Sequence, residues 1–151
     1  MKTNETVLLE DAVKNGELPE LEFFPSPISA ENSNSVIKIV FPEFTCLCPK
    51  TGYPDFASIE IYYLPAQKCV ELKSLKLYLN SFRNLGTFHE RVINFLFNEL
   101  NKTLSPQWLR VVGDFFPRGN VNTTVAIESP SARPPCAESV FENRKSHARG
   151  F

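Results

Sequence analysis

From Ser58 to Tyr63 the chain alternates, with Ile59, Ile61 and Tyr63 on one side and Ser58, Glu60 and Tyr62 on the other. A period of two marks a strand with one face turned to a core. It predicts a strand over 55–64. The β-branched run SVIKIVF predicts another over 35–41. PAQK at 65–68 reads as a turn, and CVELK at 69–73 resumes or ends a strand. The period then changes. Leu75, Tyr78, Leu79 and Phe82 recur at helical spacing over 74–83. Phe88, Val92, Phe95, Leu96 and Leu100 do the same in a helix that opens at Thr87 and runs to about Leu104. Thr87 and Glu90 stand at the spacing of a capping box. QWLRVVGDFF (107–116) and VNTTVAIES (121–129) predict two more strands around the turn PRGN, where Gly119 serves the bend.

The order is therefore strand, strand, helix, helix, strand, strand: an α+β domain whose four-stranded antiparallel sheet carries two helices on one face. Such a sheet leaves its other face and both edges to be dealt with. The other face has to be polar, covered or turned inward, and joining subunits edge to edge would remove the edges. An oligomer is expected on that ground. Prolines and small polar residues in FFPSPISAENSNS make residues 1–34 a lead-in segment. The stretch 130–151 is Pro-rich, then mixed in charge, and reads as a loosely ordered tail. Residues 35–129 are expected to form the single ordered domain, the place for any catalytic site.

A length of 151 residues fits one domain. A composition 42% hydrophobic and 22% charged is that of a globular protein. The net charge of −1 gives no broad electrostatic footprint for nucleic acid, so no direct nucleic-acid partner is expected. No apolar run approaches the ~20 residues that span a bilayer. The first twenty residues carry several acids and no sustained apolar stretch, unlike a secretory or transit segment. The expected compartment is the cytoplasm, where Cys46, Cys48, Cys69 and Cys136 would not form a permanent disulfide framework.

CLCPKTGYPD, residues 46–55, holds the candidate chemistry. Its two thiols are core residues, a metal clip with His89, a reversible disulfide, or a nucleophile and its neighbour. No CxxC or HxxxH spacing supports a metal site, and the second histidine, His147, lies in the tail. No metal is expected. Asp55 either caps the turn before a strand or supplies a proton. Lys73 and Lys76, three apart on one helical face, form either a solvated face or a phosphate contact. No GxGxxG fingerprint is present, so a Rossmann site is not supported.

FPEFTCLCPKTGYPDF, VELKSLKLYLNSFRN, FHE and PRGN, in that order over Phe41–Gly119, resemble the 7-cyano-7-deazaguanine reductases, the nitrile reductases of queuosine biosynthesis, in their single-module form. The block Glu71-x-Lys-Ser-x-Lys-x-Tyr78 separates them from other proteins of the tunnelling fold. The resemblance implies that fold, with its ββααββ order, subunits closing into barrels, two stacked pentameric rings, and active sites between subunits. It implies Cys48 as nucleophile and Asp55 as proton donor. It implies that Val70, Glu71 and Leu72, with His89 and Glu90, hold the free base 7-cyano-7-deazaguanine. Leu72 stands where serine is frequent, which leaves a backbone contact at that position. NADPH is the implied cofactor, held by Lys73 and Lys76, with Arg118 as a weaker phosphate candidate.

The implied chemistry suits these residue types. A nitrile carbon accepts hydride poorly. A thiolate adds to it to give a thioimide, whose carbon is a better acceptor, and can leave again. The nitrogen needs protons, hence a carboxylic acid in reach. Two other readings remain: an amidine-forming relative that uses the same thioimide, and a purine- or pterin-binding protein of the same fold without reductase activity.

Overall fold

A computed structural model describes residues 5–28 and 34–142, with only the backbone of Glu142. Parts of the expected lead-in (1–4, 29–33) and of the tail (143–151, including His147) lie outside the described residues. Four long strands, β3 (Ile37–Leu47), β4 (Pro54–Leu64), β7 (Trp108–Arg118) and β8 (Val121–Glu128), pair in that order as an antiparallel meander. Two short strands extend it beyond β3 by parallel pairing: β6 (Leu85–Gly86), then β1 (Val7–Leu8). A second, two-stranded sheet joins β2 (Phe23–Pro25) to β5 (Lys68–Val70). The helices are α1 (Leu9–Lys14), α2 (Leu72–Asn80), α3 (His89–Leu104) and α4 (Ala137–Glu142), with a 3-10 turn at Ser81–Asn84. No helix among the described residues is long and apolar enough to cross a membrane.

The alternation along β4 separates two cores. Ile59, Ile61 and Tyr63 pack with Val92, Ile93, Leu96 and Leu100 of α3 and Leu75 and Leu79 of α2. α3 lies close to the sheet because β7 offers no side chain at Gly113. A Cβ there would stand 2.4 Å from Ile93 Cδ1. On the opposite face Tyr62, Leu64, Trp108 and Val112 gather with Ala137, and Phe141 sets its ring edge-on to Tyr62 at 4.8 Å. α4, from the stretch read as a tail, thus covers part of the second face. The lead-in contributes too: Leu9 and Ala12 of α1 are buried in the first core, and Glu10 pairs with Arg91 of α3.

Three local expectations are corrected. The capping box does not form. α3 begins at His89 with Phe88 in the capping position and no side-chain cap. Thr87 N–H donates to Leu47 O (3.0 Å) and its hydroxyl to Phe88 O, so the sheet holds Thr87 and Glu90 falls in the first turn as an exposed residue. α2 begins two residues early, because the Glu71 carboxylate accepts from Lys73 N–H (2.8 Å) and Ser74 N–H (2.7 Å) and caps it. β3 runs on to Leu47, because Phe44 and Cys46 continue the inward row after a bulge at Phe41/Phe44.

Candidate active site

β3 and β4 meet in the hairpin that contains PKTG. Cys48 lies one residue past the end of β3, and its N–H donates to Tyr53 O (2.8 Å). Gly52 N–H returns to Cys48 O (2.8 Å) from a left-handed conformation, φ 73°, that a side chain would resist. The loop thereby folds back over the sulfur. The Thr51 hydroxyl, then the N–H groups of Thr51 and Lys50, hydrogen-bond the sulfur and hold the Cys48 thiol below the usual cysteine value, against partial burial and the charge of Asp55.

Cys46, two residues earlier, is opposite in every respect. Its side chain is fully buried beside Phe44 and Ala57 in the first core. Burial, helped by the charges of Asp55 and Cys48, pushes its thiol up to about 12. A thiolate is the reactive form, so of the two thiols Cys48 has the electrostatics of a nucleophile and Cys46 those of a core residue.

Asp55 faces Cys46 across the β3–β4 ladder, at the end of the inward row that continues through Ala57, Ile59 and Ile61. Its Oδ2 lies 3.1 Å from His89 Nε2, and its Oδ1 accepts from Arg118 Nη1 at 2.5 Å. His89 is fixed in turn by stacking on Phe115, with ring centroids 3.7 Å apart and planes 7° from parallel. Arg118 also donates to Pro54 O (2.8 Å). The Thr87–Leu47 bond explains why the start of α3 sits here: it ties the residue before Phe88–His89 to the residue before Cys48.

One end of the sheet therefore gathers Cys48, Asp55, His89, Glu90 and Arg118. The other proposed contacts lie elsewhere. Val70 is buried, and its N–H donates to the Tyr63 hydroxyl oxygen at 3.1 Å. Tyr63 is eight residues along β4 from Asp55, about 26 Å at strand rise. Glu71 is occupied as the α2 cap, and Leu72 is 61% exposed. Lys73 and Lys76 are exposed on α2, near the exposed Leu77. Arg118, a phosphate candidate from sequence, stands on Asp55. Among the described residues no group of three His, Cys, Asp or Glu side chains could hold a metal ion. Sequence reasoning gave no role to Thr51, although it lies inside PKTG, or to Phe115, which nothing local singles out.

A thiol held below its usual value by the loop around it and a carboxylate with two partners thus meet at a hairpin mouth on an α+β sheet. The QueF-like protein family profile matches residues 54–134. The chain is 52% identical over 113 residues, 75% of its length and 86% of the other, to the NADPH-dependent 7-cyano-7-deazaguanine reductase of Aquifex aeolicus (strain VF5). It is 45% identical over 125 residues (83% and 96%) to the protein of that name from Campylobacter lari (strain RM2100 / D67 / ATCC BAA-1060). The chain belongs to the QueF-like protein family. Among solved structures, the apo form of the archaeosine synthase QueF-Like shares the fold, with TM-score 0.60 and 18% identity over 66% of this chain and 97% of that one.

Proposed function

We propose that this chain is an NADPH-dependent 7-cyano-7-deazaguanine reductase, as the names of its relatives state of them, and that it converts the nitrile to an aminomethyl group. The observation that carries the reading is the Cys48–Asp55 hairpin: an activated thiol beside a carboxylate fixed from two sides. Cys48 Sγ adds to the nitrile carbon, and the nitrile nitrogen takes a proton through Asp55. The resulting thioimide carbon accepts hydride better than the nitrile carbon did, and sulfur departs again as thiolate. His89 orients the carboxylate. Glu90, exposed in the first turn of α3, offers two acceptor oxygens to the amino and ring N–H edge of the base.

NADPH, when bound, supplies the hydrides. Lys73 and Lys76 fit it: two exposed ammonium groups one helical turn apart suit phosphate charge, and exposed Leu72 and Leu77 add apolar surface beside them. Val70, Glu71 and Leu72 reach the base from a neighbouring subunit, which reconciles their distance from Cys48 within one chain. With Val70 buried and the Glu71 carboxylate on its helix, that segment offers backbone groups and Leu72. The tunnelling-fold assembly into barrels, with two stacked five-membered rings, follows the same logic. β8 ends the sheet, with exposed Phe116 of β7 and Val121 of β8 beside the turn that joins them, and is an edge suited to another copy. We place the enzyme in the cytoplasm, which keeps four unpaired thiols reduced.

Mixing the protein with NADPH and 7-cyano-7-deazaguanine tests the reading by NADPH absorbance. Consumption that requires the nitrile is expected. An adduct of one substrate mass on the protein with no consumption would point to the amidine-forming alternative, and neither signal to a binding protein. Cys48→Ala should abolish adduct and turnover, and Cys46→Ala should keep substantial activity.

A further inference from the structure

Asp55 has a partner on each oxygen, and its side chain is only 9% exposed. The charged and titratable groups that face it among the described residues are Cys46 from β3, Cys48 from the hairpin, His89 from α3 and Arg118 from β7. Each oxygen keeps a second lone pair, but on a side chain this buried the open approach lies where the more exposed partner sits. His89 is the poorer candidate to move, since its ring is stacked flat on Phe115 and 24% exposed. Arg118 is 42% exposed, sits where β7 enters its turn, and covers the carboxylate from the solvent side, with its guanidinium 5.8 Å from the ring centre of exposed Tyr53.

We propose that Arg118 is a latch on Asp55: it holds Oδ1 while the cofactor site is empty and moves to a cofactor phosphate when that site fills, opening Oδ1 to the nitrile nitrogen. The inference rests on the reading of Asp55 as the group that passes the proton. A guanidinium fork matches a carboxylate and a phosphate equally well in shape, and phosphate brings the larger charge. The step released is balanced without any redox partner. The Cys48 S–H bond breaks, the S–C bond forms, and the proton passes through Asp55 to the nitrogen of the thioimide. Arg118 is thus a positioning residue, acting through Asp55, and its effect falls on a step that precedes hydride transfer.

The adduct can therefore be timed by mass spectrometry with the nitrile and no NADPH, with and without NADP+, which has no hydride to give. For a pair with one partner this exposed, an effect of about fivefold is expected. NADP+ should speed adduct formation in the wild type by that factor. Arg118→Met should be as fast without NADP+ as the wild type is with it, and NADP+ should add nothing. Arg118→Lys keeps a charged donor and should keep an acceleration by NADP+. Equal adduct rates in wild type and Arg118→Met, or a wild type indifferent to NADP+, would overturn the latch alone. No adduct in any of them would overturn the nitrile reading and the latch with it.

Discussion

Asp55→Asn keeps the shape of the side chain and removes its capacity to carry a proton. The structure allows a separate account of stability and rate. The asparagine carbonyl can still accept from Arg118, and its NH2 can donate to a neutral His89 Nε2. What is lost is the charge in the Arg118 pair. Because that guanidinium is 42% exposed, solvent screening limits the cost to about 1 kcal/mol. In a chain of this size that is a fall of about 2–4 °C in melting temperature. Proton transfer by a positioned group contributes roughly 100- to 10,000-fold, or about 3–5 kcal/mol of barrier. The variant should therefore melt nearly as the wild type does and consume NADPH at least about 100-fold more slowly. Circular dichroism on heating and NADPH absorbance measure the two quantities. Turnover within a few-fold of wild type would remove Asp55 from the mechanism. A melting temperature lowered by ten degrees or more would make it a structural residue first.

Thr51→Val removes the largest support of the Cys48 thiolate, so the pH midpoint for alkylation of Cys48 by iodoacetamide should rise; an unmoved midpoint would refute the loop as the activator. Cys46 is protonated in the fold up to about 12 and less so when unfolded. A raised folded value means stability is intact below about pH 9 and is lost as pH climbs toward 12, and urea midpoints in Cys46→Ala should fall less over that window than in the wild type. Gly113→Ala sets a methyl group against Ile93 and should cost about 1–3 kcal/mol, read from urea denaturation, with part recovered in Gly113→Ala/Ile93→Ala. Lys73→Ala and Lys76→Ala should each raise the NADPH concentration needed for half-maximal rate and flatten its dependence on salt; unchanged values in both would return them to a solvated face.

The features legible in the sequence are those set by neighbours along the chain. The two faces of β4 follow from alternation, and the extent of α3 follows from its apolar row. The β7–β8 turn follows from Gly119 and Asn120, which have φ of 55° and 65°. What escaped depends on contacts distant in sequence. Thr87 looks like a cap until the Leu47 carbonyl, forty residues away, takes its N–H. α4 has too few apolar positions to show a helical row, and it is held by Tyr62 and Trp108, far upstream. Glutamate is not a preferred capping residue, yet Glu71 caps α2. In the site, Cys48 and Asp55 were singled out by the resemblance, not by spacing, and nothing local says that Arg118 would turn to Asp55 rather than to solvent.

The hairpin joining β3 to β4 makes loop length a stricter requirement than loop chemistry. Cys46 faces Asp55 and Leu47 faces Pro54, so the thiol and the carboxylate are set by counting residues as much as by contacts. One residue inserted between Pro49 and Tyr53 would be absorbed as a bulge or would slip β4 by one place. A slip would exchange every inward side chain for an outward one. Phe56, now exposed, or Pro54 would enter the slot between His89 and Arg118, and Asp55 would turn to the solvent side. Attempts to graft this thiol–carboxylate pair onto another sheet should keep the six residues between Cys48 and Asp55 as a unit, and vary their identities before their number.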